Sequence, residues 1–110
     1  MLNMTKRTTS HSIELTGAEE RLVYSLQLLG DKTRFRIFKL LMTNENMCVT
    51  EIATVLGVSL SAVSQHFKSF EMLGLVDKER VGQKICYMLR YDDTLARELI
   101  GITIKSNTNN

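Results

Sequence analysis

TEIATVLGVSLSAVSQHFKSFEML, residues 50–73, is the stretch whose reading decides the fold. From about Thr50 to Leu56, the apolar residues Ile52, Ala53, Val55 and Leu56 recur at helical spacing. Gly57 ends that short helix, Val58 bridges, and Ser59 has the side chain to cap the next. Leu60, Val63, Phe67, Phe70 and Leu73 then repeat at intervals of three and four until Gly74 stops the run. Two helices joined by Gly57-Val58-Ser59 must cross steeply, because a chain that reverses in so few residues cannot lay them side by side. The pattern predicts a helix-turn-helix.

Packing accounts for the apolar positions of both helices. Ser59, Ser61, Ala62, Ser64, Gln65, His66, Lys68 and Ser69 are left on the outer face of the second. Small residues at its start allow close backbone approach, and hydroxyls with a helix N-terminus hold phosphate. Gln65 has the geometry for a bidentate pair with adenine, and Lys68 reaches guanine or phosphate. His66 is either a DNA contact or a surface residue without a role. Serine-rich polar faces also occur on helices that bind nothing, so the flanking chain carries part of the argument.

Downstream, Leu75 to Val81 and Lys84 to Leu89 are β-rich runs broken by Gly82-Gln83, which predicts a hairpin. Lys78, Arg80 and Lys84 lie near its tip against Asp77 and Glu79, a small basic excess suited to DNA backbone or minor groove. Exposed lysines on a hairpin also serve to block edge pairing. Upstream, Thr16 and Glu19 fit a capping box ahead of Leu22, Val23, Leu26 and Leu29, and Asp31 caps a helix carrying Phe35, Ile37, Phe38, Leu40 and Leu41. Asp92 or Asp93 starts a last helix with Leu95, Leu99, Ile100 and Ile102. The predicted fold is mainly α with a small β-hairpin: a winged helix-turn-helix of about five helices plus wing. Residues 1–15 read as a polar tail, 16–104 as one domain that binds DNA and dimerises, and 105–110 as a second polar tail. The Lys6-Arg7 pair makes the first tail a possible phosphate-touching arm.

The 110 residues suffice for one domain, and 44% hydrophobic with 24% charged residues is an ordinary globular balance. Net charge is only +2, but residues 1–30 are neutral in sum, so the excess falls on the segment holding the helix pair and hairpin. No apolar run resembles a signal peptide or spans a bilayer, which predicts a cytoplasmic protein without a membrane partner. In that reducing compartment a structural disulfide between Cys48 and Cys86 is not expected. Both read first as small, semi-buried hydrophobes.

Leu28-Leu29-Gly30-Asp31-Lys32-Thr33-Arg34-Phe35-Arg36-Ile37 and Val58 through Lys68 resemble the ArsR-type winged-helix repressors, as do Leu73-Gly74-Leu75-Val76 and Tyr87-Met88-Leu89. The matching segments keep their order across about residues 16–104. The resemblance implies a homodimer built from the first and last helices, which places Leu22 and Leu26 beside Leu95, Leu99 and Ile102. It also implies a repressor that leaves its operator when an inducer binds. The apolar stripe of the last helix independently calls for a cover. A two-fold dimer would present two recognition helices ~34 Å apart to double-stranded DNA.

Metal sensing, common in that family, does not follow. One family site uses a Cys-x-Cys pair at the third helix, and here Cys48 is kept while Thr50, a poor substitute for a soft thiolate, takes the second place. Another pairs Asp and His on the last helix, which here has Asp92, Asp93 and Glu98 nearby but no histidine; the two histidines are His11 and His66. No metal and no cofactor are therefore expected. A thiol- or metal-responsive use of Cys48 and Cys86 stays as an alternative, as does a winged helix that binds protein instead of DNA. An enzyme is disfavoured, since there is no nucleophile–base–acid set and no phosphate-cradling glycine loop.

Overall fold

The computed structural model describes residues 12–107. Its elements run α1 (Gly17–Leu29), α2 (Lys32–Thr43), β1 (Met47–Cys48), α3 (Val49–Leu56), α4 (Leu60–Met72), β2 (Val76–Val81), β3 (Lys84–Leu89) and α5 (Thr94–Asn107). Five helices surround a three-stranded antiparallel sheet in the order β1-β3-β2. The expected winged helix-turn-helix is present.

Local chemistry sets the boundaries. Thr16 and Glu19 form the capping box, with Glu19 N–H donating to Thr16 Oγ1 at 3.0 Å and Thr16 N–H to Glu19 Oε1 at 2.9 Å. Asp31 caps α2 by accepting from Arg34 N–H at 3.0 Å. That bond is the largest of the influences holding the Asp31 carboxyl below its ordinary range. Of the two aspartates offered for α5, Asp93 caps it, accepting from Ala96 N–H at 2.9 Å. Gly57 closes α3 with φ of +68°, a left-handed conformation that costs glycine little and lets Val58 N–H reach Ala53 O at 3.1 Å.

The core sits where the helix pair meets the sheet. Ile37, Phe38 and Leu41 of α2, Ile52 of α3, Val63, Phe67 and Phe70 of α4, and Leu75, Tyr87 and Leu89 close on one another. Ala96 and Leu99 attach α5 to the same cluster.

Two expectations change, and one strand is added. The strand β1 has no period-2 signature in two residues; it exists because Met47 and Cys48 lie opposite Tyr87 and Cys86. That register brings the cysteines together, and they form a disulfide instead of remaining separate small hydrophobes. Helix α5 continues through Asn107, so the supposed tail from residue 105 begins as helix. The Lys6-Arg7 arm and His11 lie outside the described residues. No described helix is long and apolar enough to cross a membrane.

Candidate nucleic-acid interface

Helix α4 buries Val63, Phe67 and Phe70 completely, and this orientation fixes what its other side offers. Ser59, Ser61, Ser64, Gln65 and Lys68 are exposed, whereas His66 is half-buried. Ser59 Oγ accepts from Ala62 N–H at 3.1 Å and lies 3.4 Å from Ser61 Oγ. Its first task is therefore to hold the start of the helix. His66 also helps lower the carboxyl of Asp31, the cap of α2, behind the Arg34 contributions. The outward polar set thus narrows to Ser61, Ser64, Gln65 and Lys68.

The register of the wing sorts its charges. Lys78 pairs with Tyr87 and Arg80 with Ile85, while Glu79 pairs with Cys86 and Asp77 with Met88. Because alternate residues face opposite sides of a sheet, Lys78 and Arg80 share the side on which Tyr87 meets α4. Asp77 and Glu79 point the other way, where Asp77 lies 3.7 Å from Arg90 and Glu79 accepts from Asn46 at 3.3 Å. Lys84, paired with Val81 at the turn, has the register of Asp77 and Glu79 but also lines the groove beside Ser64 and Lys78. All three cations are exposed. A net-charge count shows a near-neutral hairpin; the pleat makes it basic on the helix side.

Tyr87 and Glu71 tie wing to helix. The Tyr87 ring stacks on Phe67, with centroids 3.9 Å apart and planes within 3°. Its hydroxyl donates to Glu71 Oε1 at 3.3 Å, and Lys78 Nζ is 3.5 Å from Glu71 Oε2. Burial first, then the neighbouring Glu71 carboxylate, push the Tyr87 phenol up to about 12. Glu71 carries no sequence signal for this role, since its partners lie on another element. Between α3, α4 and the wing is an open groove of about 280 Å³, lined in part by Thr50, Leu60, Ser64, Lys78 and Lys84.

The expected dimer residues divide. Leu22 and Leu26 of α1 are 40% and 53% exposed and Ile102 of α5 is 60% exposed, whereas Leu99 is only 5% exposed. Leu99 is spent on the chain's own core, so it adds little to an outer stripe; Leu95 is half-buried against that core. Tyr24, Met72 and Ile104 are exposed apolar residues that the periodicity of the helices did not single out.

Neither of the two family metal sites is complete among the described residues. Both thiols are joined to each other, Thr50 offers only a hydroxyl beside them, and α5 has no histidine. Among the described residues, no three His, Cys, Asp or Glu side chains gather as a metal-holding group.

Known proteins share this arrangement. Residues 31–78 match the bacterial regulatory protein, arsR family. The HTH-type transcriptional regulator NmtR of Mycobacterium tuberculosis is 35% identical over 82 residues, covering 74% of this chain and 67% of NmtR. The cadmium resistance transcriptional regulatory protein CadC of Listeria innocua is 28% identical over 79 residues, 72% of this chain; the match spans 66% of CadC, just under two thirds of its length. The structure of HlyU from Vibrio cholerae superposes with a TM-score of 0.72 at 25% identity, covering 83% of this chain and 96% of that one. With the helix pair, the wing and a relative of this identity and coverage in agreement, the chain belongs to the bacterial arsR family of regulatory proteins.

Proposed function

We propose that this protein is a transcriptional repressor that binds double-stranded DNA as a homodimer, with α4 in the major groove and the wing along the neighbouring backbone. The observation that carries the reading is the outward face of α4, where Ser61, Ser64, Gln65 and Lys68 are exposed while the opposite face is locked into the core. Lys78 and Arg80 on the helix side of the wing extend that surface with positive charge. The regulators NmtR and CadC, to which the chain is similar, favour the same class.

Gln65→Ala and Lys68→Ala are each expected to weaken operator binding roughly tenfold, about 1.4 kcal/mol, with unchanged thermal stability. Gln65→Ala should also relax sequence preference, and Lys68→Ala should flatten the salt dependence. Fluorescence anisotropy on DNA selected from a random pool measures both. Unchanged binding in both variants would remove α4 from the interface. DNA binding that is absent, or indifferent to salt, would point to a protein-binding winged helix.

The dimer rests on the exposed apolar residues of α1 and α5. Ile102→Glu is expected to weaken self-association more than tenfold, because a carboxylate would be desolvated in the interface. Light scattering over a dilution series reads it, and an unshifted dimer would place the interface elsewhere.

A further inference from the structure

We propose that Cys48 and Cys86 form a reversible redox site, responsive to hydroperoxides, that sets how firmly the wing is held against the helix pair. This deepens the DNA-binding reading and rests on it. Cys48 and Cys86 are direct partners across β1 and β3 and are joined by a disulfide, closing 38 residues of chain. Cys48 immediately precedes α3, and its N–H donates to Glu51 Oε1 at 2.9 Å in the first turn of that helix. Cys86 immediately precedes Tyr87, whose ring stacks on Phe67 of α4. The bond therefore joins the start of one helix of the pair to the strand that meets the other. The noncovalent links at this point are β1, two residues long, and the Tyr87 ring on Phe67. A two-residue pairing is weak alone, so the covalent bond stiffens the join between β1 and the wing root beyond what the Tyr87 contact supplies.

Access favours Cys48 as the residue attacked first, since it is half-buried while Cys86 is 1% exposed. The Cys48 thiolate attacks one peroxide oxygen; an S–O bond forms, the O–O bond breaks, and the departing hydroxide takes a proton to become water. The Cys86 thiolate then attacks the Cys48 sulfur; the S–S bond forms, the S–O bond breaks, and a second hydroxide leaves and is protonated. Two thiols lose two electrons in total and hydrogen peroxide becomes two waters. A small dithiol returns the site by exchange, ending as its own cyclic disulfide. Fixing the wing root lowers the ordering cost of binding, so the oxidised form holds DNA more tightly.

The test compares the full chain equilibrated with hydrogen peroxide and with dithiothreitol, each freed of reagent. Intact mass confirms gain or loss of two hydrogens, and anisotropy on the same selected DNA gives the affinity. The oxidised protein is expected to bind about 3–10-fold more tightly, with the difference abolished in Cys48→Ser. Comparing the two wild-type forms keeps the test valid should that variant fold poorly. Failure of peroxide to form the bond, equal affinities, or tighter binding by the reduced form would overturn the redox site and leave the DNA reading standing. Absence of DNA binding in both forms would overturn the two together.

Discussion

Phe67→Ala should cost about 3–5 kcal/mol of folding stability, the range for truncating a fully buried phenylalanine. Phe67 is 0% exposed and lies between the half-buried His66 and exposed Lys68 on α4. Its ring stacks on Tyr87 and lies 5.8 Å from Phe70, tilted by 44°. Removing it opens a cavity where the recognition helix, the wing and the core meet. For a chain of this size each kcal/mol lowers Tm by roughly 4–8 °C. Denaturant unfolding at fixed protein concentration measures the change, since association raises apparent stability. Phe67→Leu keeps more of the volume and should lose less. A loss below about 1 kcal/mol for the alanine variant would show that Phe67 is not an anchor of the core.

The second large effect belongs to Arg21. Its Nε donates to Leu73 O at 2.8 Å, and Nη2 donates to Gly74 O at 3.3 Å and to Asp93 Oδ2 at 2.9 Å. One side chain of α1 thus holds the end of α4 and the residue that caps α5. Gly74 has φ of +70°, and a Cβ there would lie 3.5 Å from Arg21 Nη2, so the turn and the guanidinium fit closely. Arg21→Ala leaves two carbonyls and a carboxylate without this partner. Bonds of a charged donor favour a large loss, but the Arg21 and Asp93 side chains are 32% and 19% exposed, so solvent screening reduces it. We expect about 2–3 kcal/mol, with Arg21→Lys recovering only part because an ammonium lacks the planar fork. The Arg21 hydrogen bond, first among several causes, holds the Asp93 carboxyl below its ordinary value of 3.8. Its contribution is fully present above that value and is lost as pH falls through the lower folded one. Acid unfolding should therefore be less steep below pH 3.8 in Arg21→Ala than in the parent protein. Equal steepness would remove the ion pair from the acid response.

How far each feature was legible depended on the range of its cause. The Thr16 and Glu19 box, the Asp31 cap, the Ser59 cap and the Gly57 stop all act within one helical turn, and the sequence displays them side by side. The outward residues of α4 were also readable, because the apolar spacing of Val63, Phe67 and Phe70 fixes the opposite face. Helical spacing could not separate Leu99 from Ile102. Both lie on one apolar stripe, yet the line of α5 that meets the core is Ala96, Leu99 and Thr103, which buries the first and leaves Ile102 exposed beside it.

The sequence by itself determined the helix pair, its caps, the hairpin and the polar face of α4, all products of periodicity and capping between near neighbours. Tertiary structure alone decided the pairing of Cys48 with Cys86, which side of the wing meets α4, and the link from Tyr87 through Glu71 to the recognition helix. These depend on strand register, and a slip of one residue would exchange the two faces of the wing. The β2–β3 register closes locally on the Gly82-Gln83 turn, but the pairing of β1 with β3 and the burial of Tyr87 against α4 join segments that no local window contains.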